Sequence, residues 1–329
     1  MNMDKLISAF PNNITQAIAI AKETTLSKVT NDIQNVVVCG MGGSGIGGRL
    51  VQKWVENEIN VPLTVVHDYF LPKFISKHTL VIASSYSGHT EETISCVEDA
   101  LKSGAHIVGV CSGGLLEKMG QEHGFDTIIV PGGNPPRTAL AFSLTQLLHI
   151  LNQFELIGTT CIEQLESARE LIVSSGTKIK EEAMIMAKFL KDHVGILYAT
   201  TEYEPVLIRA RQQFNENSKL LCWHHVIPEM NHNELVGWGG GDNRFATVFF
   251  DTDDISERNA RRLEITKAVI DKKSNKKLEF KCQGNNLIER SIYMINVVDW
   301  SSLFLSELNK VDPIDIAIID YLKEELSNF

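Results

Sequence analysis

The densest chemistry in the chain lies between residues 39 and 93, where two short stretches combine glycines with hydroxyls. The first reads C-G-M-G-G-S-G-I-G-G from Cys39, and the second reads S-S-Y-S-G-H-T-E-E-T from Ser84. Each follows an apolar run, 35–38 in one case and 79–83 in the other, and each precedes a helical pattern. Glycines let the backbone approach a ligand closely, and a helix N-terminus presents unpaired N–H groups with a partial positive charge. Gly43 and the hydroxyls of Ser44, Ser85, Ser87 and Thr90 therefore read as a cradle for an anion, with phosphate the expected guest.

Gly40, Gly42 and Gly45 also fit G-x-G-x-x-G after a strand, and Asp68 stands near the end of the next one, as in a dinucleotide site. Ser85, Ser87, Gly88 and Thr90 favour a phosphosugar instead, because a dinucleotide fold needs no hydroxyl cluster after its third strand. A purely structural turn would not need four hydroxyls.

Positioning such loops requires strands whose carboxyl ends line up. Strands are predicted at 36–39, 63–67, 80–84, 106–110 and 127–130, with helices reaching about 57 and spanning 91–102 between them. Alternating β-branched strands and helices imply a parallel sheet covered on both faces. Residues 3–28 have helical spacing, and the breakers from Pro131 to Pro136 lead into a long apolar helix, 138–154. Residues 157–192 read as a helical crossover. Beyond it a second pattern runs as strand 194–200, helix 205–222, strand 245–250, helix 256–272 and strand 278–282. Helices then continue to the end, the last opening at Asp312-Pro313, where Asp caps and Pro suits a first turn.

With 329 residues, 43% hydrophobic and 22% charged, the chain suits two globular domains, expected over 1–153 and 154–329. The formal charge of −10 argues against nucleic acid as a partner, and an anionic substrate must be met by local donors. No leader pattern or apolar run long enough to span a membrane stands out, so the expected location is the cytoplasm. Six cysteines without C-x-x-C or Cys/His pairing read as reduced thiols rather than a metal site.

Residues 40–48 and 85–93 resemble the two signature loops of sugar isomerase (SIS) domains. More narrowly they resemble the bifunctional phosphoglucose/phosphomannose isomerases, two-SIS enzymes of about this length, with His89 standing where that family commonly has Asn. The resemblance implies tandem SIS domains and an aldose–ketose isomerase. Its substrates would be glucose 6-phosphate and mannose 6-phosphate with fructose 6-phosphate, interconverted without a cofactor or metal. A lone arginine at a helix start sits against the local field and reads as a solvated charge. Within P-P-R-T-A, however, the resemblance makes Arg137 the cation for the charged intermediate. F-N-E-N-S-K similarly implies that Glu216 is the proton-transfer base, and E-M-N-H-N-E that His232 assists ring opening, ahead of His224 and His225. The family ending implies an active-site lysine at Lys323, with Lys310 second, and places Ile316 where a small polar residue often stands. Related isomerases receive the histidine from a neighbouring subunit, so a homodimer is the expected assembly.

A phosphosugar sensor without catalysis is the alternative class. Such regulators usually carry a DNA-binding domain, for which the first thirty or so residues are too acidic and too short. A glutamine-dependent aminotransferase would need an N-terminal cysteine, whereas the first here is Cys39. The second half has no glycine–hydroxyl loop after Thr200, so one phosphate site per chain is expected, in the first half.

Overall fold

The computed structural model describes residues 2–29 and 31–328; Met1, Thr30 and Phe329, which fall within the expected domain ranges, lie outside the described residues. The described residues divide into two compact units, one of 8–173 with 285–289, the other of 174–284 and 290–328 with the segment ending at Ile7.

Helix α1 (Met3–Ser8) belongs to the second unit except for Ser8, and in the first unit α2 (Phe10–Glu23) leads into β1 (Asn35–Cys39). Then follow α3 (Gly42–Val55), β2 (Leu63–Val66), β3 (Thr79–Ser84), α4 (Glu91–Ser103), β4 (His106–Cys111), α5 (Gly114–His123) and β5 (Asp126–Ile129). A 3₁₀ turn at Pro136–Thr138 precedes α6 (Leu140–Gln153) and α7 (Thr160–Ser174). The sheet is parallel throughout, in the order β2-β1-β3-β4-β5. Val36, Val37, Val38 and the run from Leu80 to Ala83 are fully buried, as expected of inner strands covered on both faces. Strand order 2-1-3-4-5 reverses direction between β1 and β3, so a crevice opens beyond their carboxyl ends. Both glycine–hydroxyl loops begin there.

The second unit starts with α8 (Gly176–Leu190) and β6 (Val194–Thr200), followed by α9 (Glu204–Ser218) and β7 (Cys222–Ile227). A 3₁₀ turn at Glu229–His232 leads to α10 (Glu234–Gly237), β8 (Phe245–Asp251), α11 (Glu257–Ile270) and β9 (Lys277–Lys281). The 23-residue α12 (Leu287–Asn309) begins in the first unit and runs into the second, and α13 (Ala317–Ser327) closes the chain. This sheet is also parallel, in the order β7-β6-β8-β9.

Three expectations need correction. The helix expected over 205–222 stops at Ser218, where Lys219 takes the left-handed conformation that ends helices. The sequence C-W-H-H-V-I then forms β7, an edge strand with only Val226 and Ile227 buried. No helix opens at Asp312-Pro313; both flanking aspartates turn the chain, Asp312 Oδ1 accepting from Ile314 N at 2.8 Å and Asp315 Oδ1 from Ala317 N at 2.9 Å. Finally, the long apolar helix starts two residues late, at Leu140, because residues 136–138 tighten into the 3₁₀ turn. No helix among the described residues is long and apolar enough to cross a membrane.

Candidate active site

The candidate anion cradle in the first unit is assembled from three loops. After β1 the chain enters α3 through Met41, whose side chain makes no capping hydrogen bond; Ser44 N and Gly45 N turn back to Met41 O at 3.0 Å, and the helix start faces the crevice without a side-chain cap. After β3, Ser85 is 1% exposed and donates its hydroxyl to Thr90 Oγ1 at 2.9 Å, while Ser87 Oγ accepts from His89 N at 3.3 Å. Thr90 occupies the N-cap position of α4 without capping it by its side chain, which leaves a second helix start open toward the same crevice. The two loops are joined directly, because Tyr86 N donates to Ser44 Oγ at 3.2 Å.

The third loop is the 3₁₀ turn that carries Arg137. A Cβ added to Gly43 would lie 2.8 Å from Pro136 O and 3.4 Å from Arg137 Cα, so glycine is what lets the turn close over the start of α3. Gly88 is equally constrained, with φ of +69° and Gly113 O only 1.8 Å from where a Cβ would sit. Arg137 is 4% exposed and so is not the solvated surface arginine that a lone cation at a helix start suggests. Gly43, Ser44, Tyr86 and Pro136, with Ser84 and Ser143, line one small cavity between these loops.

Two residues of this cradle escape a reading of the sequence. Tyr86 is a hub. Its carbonyl accepts from Ser112 N at 2.9 Å and Ser112 Oγ at 2.7 Å, and its hydroxyl donates to Pro131 O at 2.9 Å and accepts from Asn134 N at 3.3 Å. Burial raises its phenol above the ordinary value, so it stays neutral and keeps both roles. His67, just past β2, is the other. Its Nδ1 lies 2.8 Å from Gly40 O, and Arg49 Nε donates to its Nε2 at 2.7 Å. A carbonyl on one side and a cationic donor on the other specify a neutral ring protonated at Nδ1. Burial, together with the Arg49 charge, holds its pKa below 6.5 against the opposing pull of the Gly40 carbonyl. The only signal for either residue is position, one inside the hydroxyl loop and one at a strand end.

In the second unit Glu216 is half-buried in the last turn of α9. That helix is fixed from beneath by a buried ion pair, Arg209 Nη2 reaching Asp299 of α12 at 3.0 and 3.1 Å while Gln213 Nε2 donates to Asp299 Oδ1 at 2.7 Å. Asn217 Nδ2 donates to Ser302 Oγ at 2.9 Å, and Ser218 Oγ to Ser302 O at 2.6 Å, so the residues flanking Glu216 are pinned to α12 as well. His232 is exposed and ends the 3₁₀ turn beyond β7, behind the buried Met230. Glu216, at the end of α9, precedes the six-residue β7, and His232, in the 3₁₀ turn beyond it, follows, so the strand lies between them in the chain. Lys323 is exposed on α13, and Lys310 is exposed in the turn after α12 with a φ of +57°. Among the described residues no group of three or more His, Cys, Asp or Glu side chains is placed to hold a metal ion.

The chain is similar in sequence and fold to known proteins. A 304-residue stretch is 34% identical to a bifunctional phosphoglucose/phosphomannose isomerase of Aquifex aeolicus, covering 92% of this chain and 93% of that one. The chain belongs to the bifunctional phosphoglucose/phosphomannose isomerase family. A relative of the same description from Caldicellulosiruptor bescii is also 34% identical, over 96% of both chains. Residues 179–326 match the bacterial phospho-glucose isomerase C-terminal SIS domain. In fold, the chain is similar to the C-terminal domain of glucosamine-fructose-6-phosphate aminotransferase from Francisella tularensis, with a TM-score of 0.77 at 15% identity over 94% of this chain and 97% of that one.

Proposed function

We propose that this protein interconverts glucose 6-phosphate and mannose 6-phosphate with fructose 6-phosphate by proton transfer through an enediolate. The observation that carries it is the buried Arg137 set beside a cradle of helix N-termini and hydroxyls. Gly43, Ser44, Ser85, Ser87 and Thr90 hold the phosphate, and that remote binding energy positions C1 and C2. His232 moves the proton that opens the ring at O5, with Lys323 as the second cationic group at the site. Glu216 removes the C2 proton of the aldose and returns it to C1, a role that typically contributes about 10² to 10⁴ in rate. Arg137 stabilises the negative oxygen of the enediolate. Substrate and product have the same oxidation level overall, so no redox partner enters the balance.

The working form is a homodimer in which one chain's His232 serves the site of its partner. Supporting it is the placement of β7 between Glu216 and His232 in the chain. The same reading takes 1–153 as the N-terminal SIS domain and 154–329 as the C-terminal one, and sets the enzyme in the cytoplasm, where six free thiols stay reduced.

A coupled assay on the purified protein tests it, supplying fructose 6-phosphate and following glucose 6-phosphate and mannose 6-phosphate separately, with and without EDTA. Both products at undiminished rates in EDTA are expected. Glucose 6-phosphate alone would confine the specificity and point to Ile316. Phosphosugar binding without turnover would replace the enzyme by a sensor.

A further inference from the structure

Lys219 ends α9 in the left-handed region, with φ of +54°, where a residue with a side chain is strained and glycine is the usual choice. Its side chain gives the reason for the lysine. An ammonium carries three donors and no acceptor, and Lys219 Nζ donates to three backbone carbonyls, Glu216 O at 2.6 Å, Asp312 O at 2.8 Å and Asp315 O at 2.8 Å. The first belongs to the last turn of α9, where carbonyls lack intrahelical partners and the dipole favours a cation. The other two belong to the aspartates whose side chains build the turn ahead of α13.

Helix α13 has particular need of such a tether. None of its residues is buried, and Ile318 and Leu322 are 86% and 57% exposed, so side-chain packing does little to hold it. Its place is set by the segment between Asn309 and Ala317, and Asn309 is itself bound to the end of α9 through Ser218 O at 3.0 Å. We propose that Lys219 is a positioning residue that locks the turn carrying Glu216 to the turn from which α13 presents Lys323. The functional part of this rests on the isomerase reading, in which Glu216 and Lys323 serve one reaction.

The test uses the full-length protein with Lys219→Gly and Lys219→Met. Glycine suits φ of +54° better than lysine does, so a residue needed only to end the helix is replaced at no loss of stability or activity. The clamp predicts a loss of activity with stability kept. For Lys219→Gly, kcat falls about 10- to 100-fold with KM changed less than about threefold, the thermal midpoint is held, and ethylammonium added to the buffer restores part of kcat. In hydrogen exchange, the Ile314 and Ala317 amides exchange about tenfold faster than in wild type, and Lys219→Met behaves in the same way. Full activity and unchanged exchange in Lys219→Gly would overturn the proposal while leaving the isomerase reading intact. A wild-type protein that fails to isomerise would remove that reading, and the exchange of Ile314 and Ala317 would still decide whether Lys219 holds the turn.

Discussion

Two parallel sheets in this chain reverse their strand order at the same place, between the first and third strands of each unit, yet those places carry opposite chemistry. In the first unit the reversal is edged by the α3 start and by the hydroxyls of Ser44, Ser85 and Thr90, a combination that favours an anion. In the second, β8 ends in Asp251 and runs on to Asp253 and Asp254, while β6 ends at Thr200 and Thr201 spends its hydroxyl on Ile227 O at 3.2 Å. Those acids are already engaged. Arg290 bridges Asp253 at 2.5 Å and Asp254 at 3.2 Å, and Tyr203 donates its hydroxyl to Asp254 at 2.7 Å. Topology supplies a crevice in both units, and the side chains at its rim set its chemistry, uncapped helix starts and hydroxyls in one and an ion-paired acid cluster in the other.

Moving the acid of the second crevice into the first should break the comparison most strongly. Ser87→Asp sets a like charge in the exposed part of the cradle, and its KM for fructose 6-phosphate should rise about 30- to 150-fold with kcat nearly kept. Steady-state kinetics with thermal denaturation as a folding control measure this, and an unchanged KM would remove Ser87 from the phosphate site.

The reverse change should create no second site. Asp254→Ala strips the Tyr203 hydroxyl and Arg290 of a partner, so unfolding in denaturant should show a loss of about 1–3 kcal/mol. Calorimetric titration should still find one phosphosugar per chain. A second equivalent would mean that the ion pair alone excludes the ligand.

A smaller effect is expected at the hub of the first crevice. Tyr86→Phe deletes the bridge between Pro131 O and Asn134 N while sparing the Ser44 bond, which comes from the backbone. It should cost about 0.5–1.5 kcal/mol in stability and raise KM by only a few-fold.

The smallest effect is a pH dependence at His67. Its pKa is lowered from 6.5 in the folded protein, so below pH 6.5 the unfolded chain takes up the proton first. The stabilisation is complete above that pH and declines as pH falls through the folded pKa. Burial moves His106 and His149 in the same direction, so the readout is a difference. The thermal midpoint of His67→Gln should fall less between pH 7 and pH 5 than that of wild type.

Much of the first unit is legible in the chain because its determinants are local. Runs such as V-V-V-C and T-L-V-I-A-S are strands by composition, and a glycine or serine after each marks the loop. Where partners lie far apart in sequence the signal is lost. Tyr86 meets Ser44 across 42 positions and Lys219 meets Asp312 across 93, and nothing nearby marks either as more than a spacer. β7 is missed because its apolar residues do not alternate and its two histidines resemble a loop, so only pairing with β6 makes it a strand. Asp312-Pro313 misleads for the opposite reason. The pair has good capping chemistry, but the Asp312 side chain is spent two residues on, at Ile314 N.

The proposed division of labour, with phosphate held by the first unit and the proton moved by the second, reduces to one experiment on Glu216→Gln. Its affinity for fructose 6-phosphate should match that of the wild type by calorimetry. In heavy water its exchange of solvent deuterium into the substrate, followed by NMR, should fall by about 10² or more. Wild-type exchange in Glu216→Gln would contradict the assignment, and so would affinity lost together with exchange.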